Sequence, residues 1–298
     1  MKKIQTLLCP QSDLLAPPKG ASNVCRAAPL YSLLAVALFL PGISNAEETG
    51  ELDKFKIDLG SFFITDISTV VSLAATSGPV GVGARIDFED QLGLENREAV
   101  PRIDGYYRFN KHHRVDFSYW KIDREATRTV AEEISIGDIT IPANATVQTH
   151  FDSDTFKLAY GYSPYNVPKV ELGLIVGLHV TSIDLAVTDV SGAAGSEQAD
   201  APVPLPVVGF YLRYHIGSKW RFIANNQWFA LSYGDYDGSL TDLRVAIEHH
   251  TFKNAGFGFG FNRIAFDLEV DSGDLRGMAN STNTGFQLYV FGTFGKVD

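Results

Sequence analysis

Between Val170 and Val180 every second residue is apolar. Val170, Leu172, Leu174, Val176, Leu178 and Val180 fall on one parity, and Glu171, Gly173, Gly177 and His179 on the other. Side chains of a strand point to alternate faces, so this segment reads as a strand with one greasy side and one polar side. The rhythm runs on to the last strand, Gly285 to Phe294, where Phe286, Leu288, Val290 and Phe294 oppose Gln287, Tyr289 and Thr293. Such faces need a cover, and the chain has too few helical segments to supply one. Lipid can supply it if the chain is exported to a membrane.

Export is written at the N-terminus. Leu30 to Leu40 is apolar, preceded by Arg26 and followed by Ser44–Asn45–Ala46, the small-x-small pattern of a signal-peptidase site. The run is shorter than the roughly 20 residues a membrane anchor needs. Residues 1–46 therefore read as a leader of Sec type, with the mature chain opening near Glu47; the length ahead of Arg26 points to a start further downstream. Cys9 and Cys25 both fall in the leader, and Leu7–Leu8 before Cys9 lacks the small residue of a lipidation site. The mature chain then has no cysteine, which excludes disulfide, iron–sulfur and thiolate–zinc chemistry. Losing Lys2, Lys3, Lys19, Arg26 and Asp13 with the leader takes the formal charge from −10 to −13. Nucleic acid is not expected as a partner of such a surface.

The mature part holds no 18-residue apolar run, so no transmembrane helix is expected. Barrel strands keep average hydropathy near zero while one face stays apolar, and the mean hydropathy is −0.01. In chain order, Phe55 to Thr76 reads as one long strand with a parity change at Gly60–Ser61, or as a hairpin turning at Thr65–Asp66. Ala84 to Leu94 reads as a short strand or inward-folded loop carrying Asp87, Glu89 and Asp90, a solvated acidic run or a cation site. Regular hairpins follow through turns at 110–112, 163–167, 217–219 and 253–255. Longer connections are expected at 131–146, 191–202 and 271–284, with a compact turn cluster at 234–239. Pro202, Pro204 and Pro206 suit a strand entrance, and a second parity flip is expected at Asn262–Arg263.

Alternating short and long connections, with aromatics beside the short turns at Tyr107, Phe109, Tyr162, Tyr165, Tyr214, Trp220, Phe222, Phe252 and Phe257, predict an all-β fold. It is a transmembrane antiparallel up-and-down β-barrel spanning 47–298, with an even strand number near ten and limits of eight and twelve. The pattern over residues 50 to 294 resembles the small outer-membrane β-barrel proteins of Gram-negative bacteria, of the broad OmpA-like and OmpW-like kind. That resemblance implies residence in the outer membrane among lipid and lipopolysaccharide. It also implies assembly by the barrel-insertion machinery through the final strand, although here Gly295 to Asp298 follow Phe294, where the group usually ends on its aromatic. As a class it implies a structural role or a narrow passive channel for small solutes.

The expected lumen face carries Arg102, Asp104, Arg108, Arg114, Asp116, Glu171, His179, Arg213, His215, Arg244, Glu248, Asp267 and Glu269. Mixed signs in a narrow barrel suit a plug of mutually paired charges, or a pore tuned by them. A lipid-modifying enzyme of the lipid A deacylase or lipase type is an alternative, with His179, Ser182 and Glu171 as its polar groups. It lacks a Gly-x-Ser-x-Gly motif, and three residues place His179 and Ser182 on opposite faces. No catalytic residue, cofactor or metal ligand is therefore assigned. His112–His113 and His249–His250 read as interfacial histidines. A secreted ligand-binding barrel with its apolar faces inward is the remaining alternative, and oligomeric state is not legible.

Overall fold

The computed structural model describes residues 52–74, 85–136, 139–192, 195–234, 236–271 and 276–297. The expected leader and the residues at 78–84 lie outside them. The described residues form strands β1 (Leu52–Ala74), β2 (Arg85–Asp87), β3 (Glu98–Arg108), β4 (His113–Thr129), β5 (Ile134–Ile136), β6 (Ile139–Ile141) and β7 (Thr146–Val167). Then follow β8 (Val170–Asp189), β9 (Ser196–Ile216), β10 (Trp220–Tyr233), β11 (Tyr236–Phe252), β12 (Ala255–Asp271) and β13 (Arg276–Val297). Ten of these pair antiparallel with their neighbours in the order β1, β3, β4, β7, β8, β9, β10, β11, β12, β13, and β13 pairs back onto β1. The sheet is therefore a closed ring. β1 is one strand, because it pairs along its length with β13 and, over Phe55–Ile64, also with β3. That fixes the count at ten.

Closure sorts side chains by parity. On β8, Leu174 and Val176 are 60% and 55% exposed, and on β13 Leu288 and Val290 are 51% and 61% exposed, all facing outward. Arg102 on β3 and Glu248 on β11 are 2% and 0% exposed, facing in. Glu171 and Gly173 also point inward, so the inverted arrangement of a secreted barrel is not what this chain adopts. Outward apolar residues run from Val170 to Val180. At about 3.3 Å per residue and a 35–45° tilt this makes a belt about 25 Å tall. Beyond it the same outer face turns polar, with Lys121 bonded to Asp152 at 2.7 Å and Tyr119 to Asp154 at 2.7 Å. Near the short turns Tyr107, Phe109, Tyr162, Tyr165, Trp220, Phe252 and Phe257 are exposed on the outside.

Several expectations are corrected, and one cause recurs: apolar residues inside the barrel imitate a change of face. No parity change occurs at Gly60–Ser61. The irregularity lies between Ile64 and Asp66, and Phe62 and Ile64 point inward. β12 keeps its register through Asn262–Arg263. Ile264 is an inward residue, buried with Phe62, Ile64, Ile67, Val100, Trp120 and Ile122. Asp267 and Glu269 therefore face outward and are exposed, not in the lumen. The segments 191–202 and 271–284 are partly strand, since polar stretches such as Ser281–Thr284 pair with both β1 and β12. Ser163–Pro164 forms a bulge within β7, Tyr165 and Asn166 already pair with β8, and the turn lies at Pro168–Lys169. The 131–146 connection carries the β5–β6 hairpin. Its Ile134, Ile136 and Ile141 pack with Phe88, Leu92, Leu94, Val130, Val147, Phe151 and Val187 into an apolar cap at the far end.

The prolines lie inside a ladder rather than at its entrance. His215 N–H donates to the Lys169 carbonyl on the β8 side, at 2.9 Å, so odd residues of β9 face β8 and even residues face β10. Pro202, Pro204 and Pro206 are all even, and a proline has no N–H to give. Pairing of β9 with β8 continues past them, whereas pairing with β10 stops at Val208–Trp228, one bonding position before Pro206. Both strands run on, leaving a seam in the wall. In hydrogen–deuterium exchange on the folded barrel, the amides of Ala230 and Ser232, which face that seam, should exchange at least about tenfold faster than those of Ala224 and Trp228. Uniform protection along β10 would mean that the seam is paired.

Candidate functional site: an ion-paired lumen

Inward residues of the ten strands meet across the barrel in stacked layers. At the short-turn end Glu171 on β8 is the hub. Arg108 Nη2 on β3 donates to both its oxygens, at 2.9 and 2.8 Å, Ser163 Oγ donates at 2.7 Å and Tyr211 Oη at 3.0 Å. Arg213 stands 3.7 Å away. Arg114 pairs with Asp116 at 2.9 Å and sits over Tyr211, its Cζ 3.5 Å from the ring centroid. Gly173 makes room for that ring: a Cβ there would sit 2.1 Å from Tyr211 Cζ.

The second hub is Glu248 on β11. It accepts from Arg221 at 2.9 and 2.6 Å, from Lys56 Nζ at 2.8 Å and from Tyr289 Oη at 2.8 Å. Lys56 also pairs with Asp58, and Arg244 lies 3.6 Å from Asp58 and 3.8 Å from Asp104. The third layer centres on Asp104. It accepts from Arg102, Ser118 and, at 2.7 Å, Gln287. Arg102 reaches Asn262, Asn262 donates to Asp242 at 2.9 Å, and Asp242 pairs with Lys157. Lys157 on β7 and Asp242 on β11 are four strands apart, so this pair crosses the lumen. His179 Nε2 lies 2.8 Å from Gln227 Oε1.

Above these layers the lumen turns apolar. Arg102 stacks on Trp120 at 4.5 Å, at the base of the cluster holding Phe62, Ile122 and Ile264. Higher still, Arg124 pairs with Glu89 at 2.6 Å, and Glu89 accepts the Thr69 N–H at 2.8 Å, tying the apolar cap to the wall. Glu89 is thus held by an arginine, and Asp87 accepts the N–H groups of Glu89 and Asp90, at 3.1 and 2.8 Å. The acidic run is a turn lock with no converging set of free carboxylates. The space enclosed by the ionic layers is about 70 Å³, room for a few waters. A vestibule of about 660 Å³ opens below them at the short-turn end, where half-buried His215 lies.

The enzyme alternative finds no assembled triad. His179 is engaged by Gln227, Ser182 lies on the outward parity of β8 opposite Asp154 of β7, and Glu171 is bound to Arg108. The paired histidines do not converge either: His113 bonds Tyr160, whereas His249 and His250 pack on Trp220 and Phe291. Asp123, His150 and Asp152 do approach one another on the outer face. Lys121 and Glu125 already pair with Asp152 and His150, at 2.7 and 3.1 Å.

The backbone matches the outer-membrane protease OmpT of Escherichia coli with a TM-score of 0.53 at 12% identity, covering 83% of this chain and 99% of that one. The chain has the fold of an outer-membrane β-barrel. The translocator domain of the autotransporter NalP from Neisseria meningitidis matches at a TM-score of 0.38 and 9% identity, over 81% of this chain and 88% of that one. The toluene transporter TodX of P. putida matches at 0.34 and 9%, over 82% and 91%. No protein-family model and no curated protein sequence matches the chain. At such identities the likeness is one of fold.

Sequence reasoning missed half of this barrel's network. Lys56, Asp58, Lys157, Arg221, Asp242, Asn262, Gln287 and Tyr289 all sit on inward parities. The signal was present for Arg221, flanked by outward Trp220 and Phe222, and for Lys56 and Asp58, flanked by Phe55, Ile57 and Leu59. Breaking a buried pair from one side strands its partner. Glu248→Leu should cost about 3–5 kcal/mol in urea unfolding from micelles, and the triple Lys56→Met/Arg221→Leu/Glu248→Leu should recover most of that. Equal loss in single and triple variants would contradict the pairing.

Proposed function

We propose that this protein is a closed barrel of the outer membrane, a structural member of the envelope with no standing ion channel. The observation that carries this reading is the continuity of the packing across the lumen. Three ion-paired layers, an apolar layer around Trp120 and the cap around Phe88 follow one another along the axis, and the ionic layers enclose only about 70 Å³. A hydrated ion needs a connected water column, and the inward arginines instead spend their donors on carboxylates. The leader, the apolar belt and the aromatic rim support placement in the outer membrane, with the short turns toward the periplasm and the long polar strand extensions toward the lipopolysaccharide. Assembly through the strand ending at Phe294 fits the same reading.

Planar bilayers holding the purified protein should stay silent at voltages that leave the barrel folded. Replacing Arg102, Lys157 and Asp242 together with serine should leave the recording silent, because the apolar layer around Trp120 and the cap around Phe88 still close the lumen. Steady, ion-selective steps from the unaltered protein would refute the closed-barrel reading, and make the charged layers a selectivity filter.

A further inference from the structure

The vestibule at the short-turn end has a charge opposite to that of the chain. Each of the four short turns carries one lysine and no acid: Lys111, Lys169, Lys219 and Lys253. Three of these, Lys111, Lys219 and Lys253, line the 660 Å³ vestibule, together with Arg108, Arg213, Arg221 and Lys296. Against these seven cations stand two lining carboxylates, Asp53 and Glu171, and Glu248, which holds Arg221 from the layer above; the formal excess is four positive charges in a chain whose overall charge is −10.

Both carboxylates are already committed. Asp53 is held by Lys296 at 2.8 Å and lies 3.9 Å from Arg221; Glu171 is held by Arg108 at 2.8 Å and lies 3.7 Å from Arg213. Among the described residues Lys111, Lys219 and Lys253 have no ion pair. Arg213 is 7% exposed and its Nε has no acceptor, and Arg108 Nε and His215 Nδ1 are likewise buried without a partner. In the layers above, Lys56, Arg102, Lys157, Arg221 and Arg244 stand against Asp58, Asp104, Asp242 and Glu248, an excess of one, so most of the imbalance lies in this cavity. Cations crowded around a concave, partly desolvated space repel one another and raise the potential at its centre. A bound anion relieves both.

We infer that this vestibule is a binding site for a compact oxyanion carrying two or more negative charges, of the phosphate or carboxylate class. Arg108, Arg213 and Arg221 form the floor; Arg108 and Arg221 give part of their donors to Glu171 and Glu248, whereas Arg213 stands 3.7 Å from Glu171 with its Nε unpartnered and has the guanidinium freest for an oxygen pair. The turn lysines close the rim as mobile point charges. The anion can come from two sources: a free solute of the compartment below the barrel, or the phosphate of an anionic lipid headgroup at the membrane surface.

The test uses the mature chain folded in zwitterionic detergent and titrated calorimetrically with inorganic pyrophosphate, each variant being checked for its folded, heat-modifiable band. Saturable one-to-one binding that weakens with added salt is expected. The triple reversal Lys111→Glu/Lys219→Glu/Lys253→Glu should weaken it about tenfold or more, while Arg97→Glu, on an exposed loop at the opposite end, should leave it unchanged. Repeating the titration in nanodiscs separates the sources. Equal affinity in phosphatidylcholine and phosphatidylglycerol marks a free solute, and competition by phosphatidylglycerol marks the headgroup. Absence of saturable binding, or binding that survives the triple reversal, overturns the inference. A silent bilayer recording alongside either result keeps this outcome separate from that of the closed-barrel reading.

Discussion

A charge inside this barrel must find its opposite there. Taking a carboxylate or guanidinium out of water is expensive, and only a well-placed partner offsets it. Ten strands bring inward side chains close enough to touch across the axis, as Lys157 does with Asp242 and Lys56 with Glu248. The fold thus inverts the usual protein: the apolar surface lies outside and the polar core within. Glu171, Glu248 and Asp104 each gather several donors from different strands, so the ionic layers pin strand register as well as filling space. A one-residue slip of any strand would turn its charges outward and its leucines and valines inward.

Below those layers the two ends diverge. Toward the far end the inward residues become apolar, and the β5–β6 hairpin and the Phe88–Leu94 segment close the lumen with a hydrophobic cap. Toward the short turns the lumen widens into a cationic vestibule. The strands of 20 residues or more are about twice the length needed to cross the hydrocarbon layer, and the excess rises beyond the apolar belt. There the outer face is polar and laced with pairs such as Lys121–Asp152, and the β9–β10 seam opens beside the three prolines. The wall is therefore least tied together where β9 and β10 leave the belt.

The belt and strand number were legible in the sequence because lipid imposes one simple rule on the outward face. Val170 to Val180 obey it without exception on their exposed parity, and Phe286 to Phe294 with Gly292 as the one break. Mixed charges at Arg102, Asp104, Arg108 and Glu171 revealed the inside equally well. What misled was the interior near the far end, where lipid's rule no longer applies on the outside and the inside is itself apolar. Phe62, Ile64 and Ile264 look lipid-facing by composition, and reading them so invents parity flips and sends Asp267 and Glu269 to the wrong side. Lengths failed for a related reason: Ser281–Thr284 has the composition of a loop but is held in a ladder by neighbours on both edges. Which charge meets which across the axis depends on tilt and stagger, and no local pattern carries that.

The central claim is that lipid covers one parity of these strands and paired charges the other. Because the chain's two cysteines, Cys9 and Cys25, both precede Glu47, single cysteines placed from Glu171 to Val180 on β8 of a protein that begins at Glu47 can carry a fluorophore without interference. With the protein in bilayers of brominated lipid, quenching should be strong at Leu172, Leu174, Val176 and Leu178 and weak at Glu171, Ile175 and His179. Uniform quenching, or quenching on the opposite parity, would contradict the account.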